Sequence, residues 1–311
     1  MAEPVTVAIP VLNGGALLRE VLAAVAAQRL DRPVELLVAD SGSSDGSADV
    51  ARSYGATVLP VEEFSHGGAR NLLVERAAGS HVAFLTQDAV PGGERWLAEL
   101  LAGFALADDV ALVYGPYKVR PGAPAAVERE LDDWFRSIAP DGRPRLDRGP
   151  VPAGPGAATF FTSANGAVAR WAWDRVPFRD VPYAEDQALA LDMLGAGFAK
   201  VFAPEAAVVH SHDYTALEQF RRSFDEWRGL HDVHGWVQPL APARTLLMLQ
   251  SQVRADLRSL RARGVPPRAL SRELARSIRH WTVRAAGGAA GSRADRLPPR
   301  IRRWCSLERR A

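Results

Sequence analysis

Along the first half of the chain, short apolar runs alternate with stretches of helical periodicity. Nearly continuous apolar runs at residues 5–9, 34–39, 57–60, 82–86 and 110–114 predict strands covered on both faces. A strand with one wet face would instead alternate apolar and polar side chains. Between them, residues 16–28, 47–54, 69–78 and 94–106 space their apolar side chains at the three- and four-residue interval of a helix. This alternation predicts an α/β fold with a mostly parallel central sheet flanked by helices. Ligands of such sheets bind beyond the carboxyl ends of the strands. That rule singles out Asn13, Asp40 and Asp88, each placed where a strand has just ended.

The second half is less regular. Residues 139–156 (APDGRPRLDRGPVPAGPG) are rich in Pro, Gly and charge and read as a loop. A strand is expected at 158–163, a helix at 185–194, a strand at 200–203 leading to Val208-Val209-His210, and an aromatic-bearing helix over 217–234. Two amphipathic patterns follow: Leu249, Val253, Leu257 and Leu260, then Leu270, Leu274, Ile278 and Trp281, with Pro266-Pro267 between them. They predict a C-terminal helical extension.

Charge changes this picture more than bulk composition does. The 311 residues are 47% hydrophobic and 24% charged, as in an ordinary globular protein. The net charge of +2 conceals an asymmetry: residues 241–311 hold 17 Arg against 4 acids and stand at +13, leaving −11 for residues 1–240. Three readings fit a basic tail: helices packed with Arg in solvent, an interfacial helix on anionic lipid, or electrostatic binding of nucleic acid. The acidic body and the lack of any nucleic-acid motif count against the third. One cysteine, Cys305, excludes an intramolecular disulfide and a multi-Cys zinc site. No run reaches the roughly 20 apolar residues of a bilayer span, and no leader pattern opens the chain. A cytoplasmic protein is expected, with peripheral contact at the inner membrane face.

Five clusters carry candidate chemistry. AIPVLNGG (8–15) and VADSGSSDGS (38–47) end strands with small and polar residues that let a nucleotide approach. Asp40 suits the imide N–H of a uracil or thymine, although Asp45 or Ser47 also suits a helix cap. FSHGGARN (64–71) sets two glycines and Arg70 at a helix start, where free N–H groups and a guanidinium suit a diphosphate. LTQDAVP (85–91) delivers one carboxylate, Asp88, to a strand end, as a hard divalent cation requires. A turn before Pro91 explains it equally well. YAEDQALALDML (183–194) places Glu185-Asp186 at a helix front, favoured there by the helix dipole alone or usable as a general base. VVHSHDYT (208–215) carries His210 and His212, either of which suits a metal held by Asp88. Trp171 and Trp173 suit sugar stacking or a core position.

Together, in this order, FSHGGARN, FLTQDAVP, the AED step and VVHSHDYT resemble family 2 glycosyltransferases of the GT-A fold, in their rhamnosyltransferase-like branch. The similarity runs over about residues 4–228, and the tail pattern AAGG…RLPPRIRRW is similar too. The resemblance implies three parts: a nucleotide-sugar-binding half (1–115), an acceptor-binding, catalytic half (116–240) and a basic helical tail (241–311). It implies Pro10, Leu12, Asn13, Asp40, Ser41, Arg70 and Gln87 at the nucleotide, and Asp186 with Glu185 at the catalytic step. It implies Mg²⁺ or Mn²⁺ on Asp88 and a histidine, His210 being favoured over His212. His66, Gly67, Asn165 and Gly166 are expected along the donor and acceptor cleft. The family's Asp-x-Asp motif reads Thr86-Gln87-Asp88 here, which removes one carboxylate and puts more weight on the histidine.

The resemblance therefore implies an inverting transfer of a sugar, L-rhamnose from dTDP-β-L-rhamnose, to a hydroxyl of a glycan, lipid-linked or small-molecule acceptor. Two alternatives share the sheet: a nucleotidyltransferase and a non-catalytic nucleotide-sugar binding module. The first wants a basic Gly-rich loop after the first strand, and no basic residue precedes Arg19 here. The second leaves both an Asp88-type ligand and an Asp186-type base without a task.

Overall fold

The computed structural model describes residues 3–151 and 153–308. The chain divides into two compact units, one of residues 1–118 with 135–210 and one of residues 119–134 with 211–311.

In the first unit, strands β1 (Val5–Val11), β2 (Val34–Asp40), β3 (Thr57–Pro60), β4 (His81–Leu85), β5 (Val90–Pro91), β6 (Val110–Tyr114), β7 (Tyr117–Lys118), β8 (Arg145–Asp147), β9 (Asn165–Ala169), β10 (Ala199–Phe202) and β11 (Val208–Val209) form two sheets. The larger runs β3-β2-β1-β4-β9-β6-β10-β8 and the smaller β5-β11-β7. Strands β1 to β4 are parallel, as are β6 and β10, while β9 runs antiparallel to both β4 and β6. Helices α1 (Gly15–Ala26), α2 (Ser47–Ser53), α3 (His66–Arg76) and α4 (Trp96–Ala102) cross between the parallel strands. Helix α5 (Ala125–Ile138), of which only residues 135–138 belong to this unit, follows β7, α6 (Arg170–Trp173) follows β9, and α7 (Glu185–Gly195) leads into β10. The GT-A arrangement expected from the sequence is the one observed. Val5, Val7, Ile9, Val38, Leu85 and Val113 from the sheet pack with Leu18, Leu22, Trp96 and Leu97 from the helices. Burial of these apolar surfaces is the main source of cohesion.

Several expectations need correction. Residues 158–163 are turns and extended loop, and the strand begins at Asn165. Their apolar character has another cause: Phe160 and Phe161 join an aromatic cluster with Tyr114, Phe135 and Phe202. The helix expected at 94–106 changes to 3-10 geometry at Gly103–Leu106, where Gly103 lies against Val113. The loop 139–156 contains β8, tied to β10 by the buried Lys200–Asp147 pair at 2.8 Å.

The second unit holds α8 (Ala216–His234), α9 (Pro242–Ala262), α10 (Pro267–Gly291) and α11 (Pro299–Cys305). Thr215 and Glu218 form a capping box at the start of α8. Gly287 and Gly291, one turn apart on α10, let its backbone approach the Phe220 and Phe224 carbonyls of α8, where a Cβ would collide. Asp256, 1% exposed, accepts hydrogen bonds from Arg129, Ser277 and Trp281. Of the apolar stripes expected here, Leu260 and Trp281 are buried, but Ile278 is 50% exposed and stands outside the core.

Candidate active site

The carboxyl ends of β1, β2 and β4 converge in the first unit. Asn13 takes a left-handed backbone (φ 52°), a conformation asparagine tolerates better than most residues. Its side-chain oxygen accepts from the Ser44 N–H, and its own N–H donates to Ser43 Oγ. Gly14 and Gly15 donate to Ser47 Oγ and Asp45. The two loops expected to hold the nucleotide are thus laced into one surface. Asp40 accepts from the Ser43 N–H in a turn. Pro10 lies at the end of β1, Leu12 is exposed, and the Ser41 hydroxyl is buried with no hydrogen-bond partner among the described residues.

Gln87 does something that the sequence did not suggest. Its amide accepts from the Leu12 N–H at 2.8 Å and donates to the Leu12 carbonyl at 3.1 Å. This two-point clamp ties the β4 exit to the β1 exit, so Gln87 shapes the loop after β1 through its side chain.

The FSHGGARN motif is likewise turned inward. Ser65 caps α3 by accepting from the Gly68 N–H, and His66 sets its ring edge-on to Phe64. Gly67 has no room for a Cβ because the Arg179 carbonyl lies there. Asn71 holds the Phe178 backbone by both N–H and carbonyl and accepts from the Trp173 indole. Arg70 is 5% exposed and pairs with Glu185 at 2.9 Å while donating to the His66 carbonyl. The contacts of Gly67, Arg70 and Asn71 bind α3 to residues 173–185, the segment that delivers Glu185 and Asp186. Trp173 is thereby a structural residue, while Trp171 is partly exposed beside Phe198.

Asp186 stands at the front of α7, two residues after Ala184, whose left-handed backbone (φ 63°) is uncommon for a residue with a Cβ. One carboxylate oxygen accepts from the Ser163 N–H at 3.2 Å and the other from the Gln187 N–H at 2.8 Å. Desolvation, and next the Glu185 charge, push its pKa up to about 6, against the opposing pull of Arg70 and the two N–H groups. Ser163 Oγ and Thr86 Oγ1 are buried and have no hydrogen-bond partner among the described residues.

Asn165 and Gly166 are not on a cleft wall, contrary to expectation. Asn165 is fully buried, accepting from the Trp96 indole and donating to the Pro116 and Ala206 carbonyls. Gly166 is packed against Phe161 and the Thr162 carbonyl. Both sit in β9, the antiparallel strand wedged between β4 and β6, where every polar group must be satisfied internally.

These loops and this buried pair lie within a recognisable sequence family. The profile described as Glycosyl transferase family 2 matches residues 6–164. The chain belongs to glycosyl transferase family 2. It is 30% identical over 246 residues to the O-antigen chain rhamnosyltransferase RfbN of Salmonella typhimurium, covering 75% of this chain and 74% of the relative. With the O-antigen chain rhamnosyltransferase WbaN of Salmonella anatum it shares 29% over 218 residues, 68% of this chain and 67% of that one. Among solved structures, the mannosyltransferase PcManGT of Pyrobaculum calidifontis, in complex with GDP-Man and Mn²⁺, matches with a TM-score of 0.62 at 17% identity. That match covers 92% of this chain and 86% of the other. The chain is therefore a glycosyltransferase, and the nucleotidyltransferase and binding-module alternatives fall away.

In this glycosyltransferase, Asp88 follows β4 and His210 follows β11. The His210 Nε2 lies 3.5 Å from an Asp88 carboxylate oxygen. His210 is held by its N–H on the Lys118 carbonyl and by its ring against Tyr117. His212 comes two residues later in the chain and stacks on Tyr214. One carboxylate oxygen and one imidazole nitrogen form a mixed donor pair that fits Mn²⁺ better than Mg²⁺, which prefers oxygen throughout. Tyr117 and Thr162, whose hydroxyls are hydrogen-bonded, and Ser163 were missed by sequence reasoning. No motif marks them, because their importance comes only from what the fold sets beside them.

Proposed function

We propose that this glycosyltransferase transfers L-rhamnose from dTDP-β-L-rhamnose, with inversion, to a hydroxyl of a glycan or lipid-linked acceptor, with Asp186 as general base. The observation that carries this reading is the division of labour at the front of α7. Glu185 is engaged with Arg70, whereas Asp186 keeps a carboxylate whose pKa is pushed up to about 6. A base poised near neutrality is ionised at working pH yet basic enough to take a proton in the transition state. Ser163 N–H and Gln187 N–H orient that carboxylate. Attack by the acceptor oxygen, as Asp186 takes its proton, displaces the nucleoside diphosphate from the opposite face of the anomeric carbon.

Asp88 and His210 would hold Mn²⁺ or Mg²⁺, and such an ion offsets the charge that develops on the departing diphosphate. Asp40 and Ser41 line the nucleoside position, and Gln87 holds Leu12 in place beside it. The rhamnosyl donor is supported by the relatives named above, and a pyrimidine nucleotide by Asp40. The work takes place at the cytoplasmic side, with peripheral membrane contact.

Thermal-shift titration of the full chain with dTDP-, UDP- and GDP-sugars, with and without Mn²⁺, tests the donor. Stabilisation by dTDP-rhamnose exceeding that by GDP-mannose is expected, and preference for GDP would overturn the donor assignment. Asp186→Asn should retain donor binding and lose transfer, while near-normal turnover in that variant would remove Asp186 from the base role.

A further inference from the structure

The second unit exposes a run of apolar residues that its own core does not use. Between His234 and Arg254 the chain leaves α8, passes Pro239 and enters α9. Along this stretch Trp236, Val237, Leu240, Leu246 and Leu247 are all exposed, Leu240 at 69% and Leu247 at 65%. Scattered exposed apolar residues are ordinary, but five within twelve positions of the chain are a concentration of the kind that marks an interaction site.

The charge around this patch is one-sided. From residue 235 to 272 the chain holds seven Arg and a single acid, Asp256, which is buried and consumed by Arg129, Ser277 and Trp281. Arg244, Arg254, Arg258 and Arg261 are exposed and make no ion pair among the described residues. At 100° per residue, Leu247, Arg254, Arg258 and Arg261 fall within about 60° of one another around α9, a stripe roughly 21 Å long at 1.5 Å per residue. One helix face therefore begins with leucine and continues with arginine.

We propose that this face of α9, with the Trp236–Leu247 stretch, docks on the surface of an anionic bilayer. Leucine and valine side chains would enter the boundary between headgroups and acyl chains, and Trp236 suits the same depth. The arginines then meet lipid phosphates, each gaining attraction of a size that salt screens. A neutral protein partner would use the apolar residues but leave the arginine stripe without a counterpart, so charge favours acidic lipid. The proposal deepens the lipid-linked acceptor reading given above. Vesicle binding is measured without any sugar transfer, so failure of one does not entail failure of the other.

The test is flotation of the full chain with vesicles of phosphatidylcholine alone or mixed with phosphatidylglycerol, at low and high salt. Binding is expected only to the mixed vesicles and weakens with salt. Arg254→Gln/Arg258→Gln/Arg261→Gln should lower partitioning at least about tenfold, whereas the three Arg→Lys changes retain it, since lipid phosphate needs charge more than a planar fork. Leu240→Glu/Leu246→Glu/Leu247→Glu should abolish flotation while the melting temperature and donor-induced thermal shift stay unchanged. Failure of the wild type to float with mixed vesicles overturns the proposal. So does equal binding to neutral vesicles, or sedimentation showing that the leucines instead hold two copies of the chain together.

Discussion

The Arg70 guanidinium lies 2.9 Å from the Glu185 carboxylate, with side-chain exposures of 6% and 7%. This pair joins the FSHGGARN helix to the front of α7 and leaves Asp186 as the carboxylate without a full counter-charge. Breaking a buried pair on one side leaves an uncompensated charge, at a cost of about 3–5 kcal/mol. Arg70→Met should therefore unfold at markedly lower denaturant, and adding Glu185→Leu should recover much of the loss. Equilibrium denaturation of both variants checks this, and a wild-type midpoint for Arg70→Met would show that the pair carries no stability.

Transfer should have an acid limb set by Asp186. Its pKa is pushed up to about 6, so kcat/KM should fall below that pH as the base becomes protonated. The Glu185 charge contributes to the upward push, so Glu185→Gln should move the limb to lower pH. Freed of its partner, Arg70 acts in the same direction. A pH–rate profile of the two proteins reads the shift, and a limb that stays put would separate Glu185 from the base.

Asp186 also links folding to pH. Its folded pKa lies above the unfolded value of 3.8, so its contribution is fully present below pH 3.8 and is lost as pH rises through about 6. Above that, ionised Asp186 costs up to about 3 kcal/mol. Asp186→Asn removes the penalty, so the variant should gain in melting temperature on the wild type at pH 8 but not at pH 4. Calorimetry at the two pH values checks the sign.

The Gln87 clamp predicts a binding defect. Gln87→Ala removes both bonds to Leu12, each worth about 1 kcal/mol, and frees the donor loop. Affinity for dTDP should fall about tenfold with little change in melting temperature. Gln87→Glu can accept from Leu12 N–H but cannot donate to its carbonyl, and should fall between. Isothermal titration measures all three, and unchanged affinity in Gln87→Ala would show that the loop needs no clamp.

Metal dependence should follow Asp88 and His210. Excess EDTA should remove transfer, and Mn²⁺ should restore it more fully than Mg²⁺, given an imidazole nitrogen beside the carboxylate. Asp88→Ala or His210→Ala should lose the Mn²⁺-dependent thermal shift. Full activity in EDTA would sink the assignment.

Hydrophobic periodicity alone determined the Rossmann-like half of this protein. Strands at 57–60 and 110–114 coincide with β3 and β6, because buried parallel strands must be apolar on both faces and so leave an unmistakable run. The order of motifs marked Asp88, Asp186 and His210 as candidates. Tertiary structure decided what periodicity cannot carry. Phe160 and Phe161 are apolar for the sake of an aromatic cluster, so their run imitates a strand. Asn165 lies in a strand where a polar residue survives only because Trp96, Pro116 and Ala206 satisfy it. Arg70 and Gln87, both read as ligand contacts, find partners 115 and 75 residues away along the chain. A side chain's type shows which bonds it can form, but which groups are within reach depends on where the chain returns.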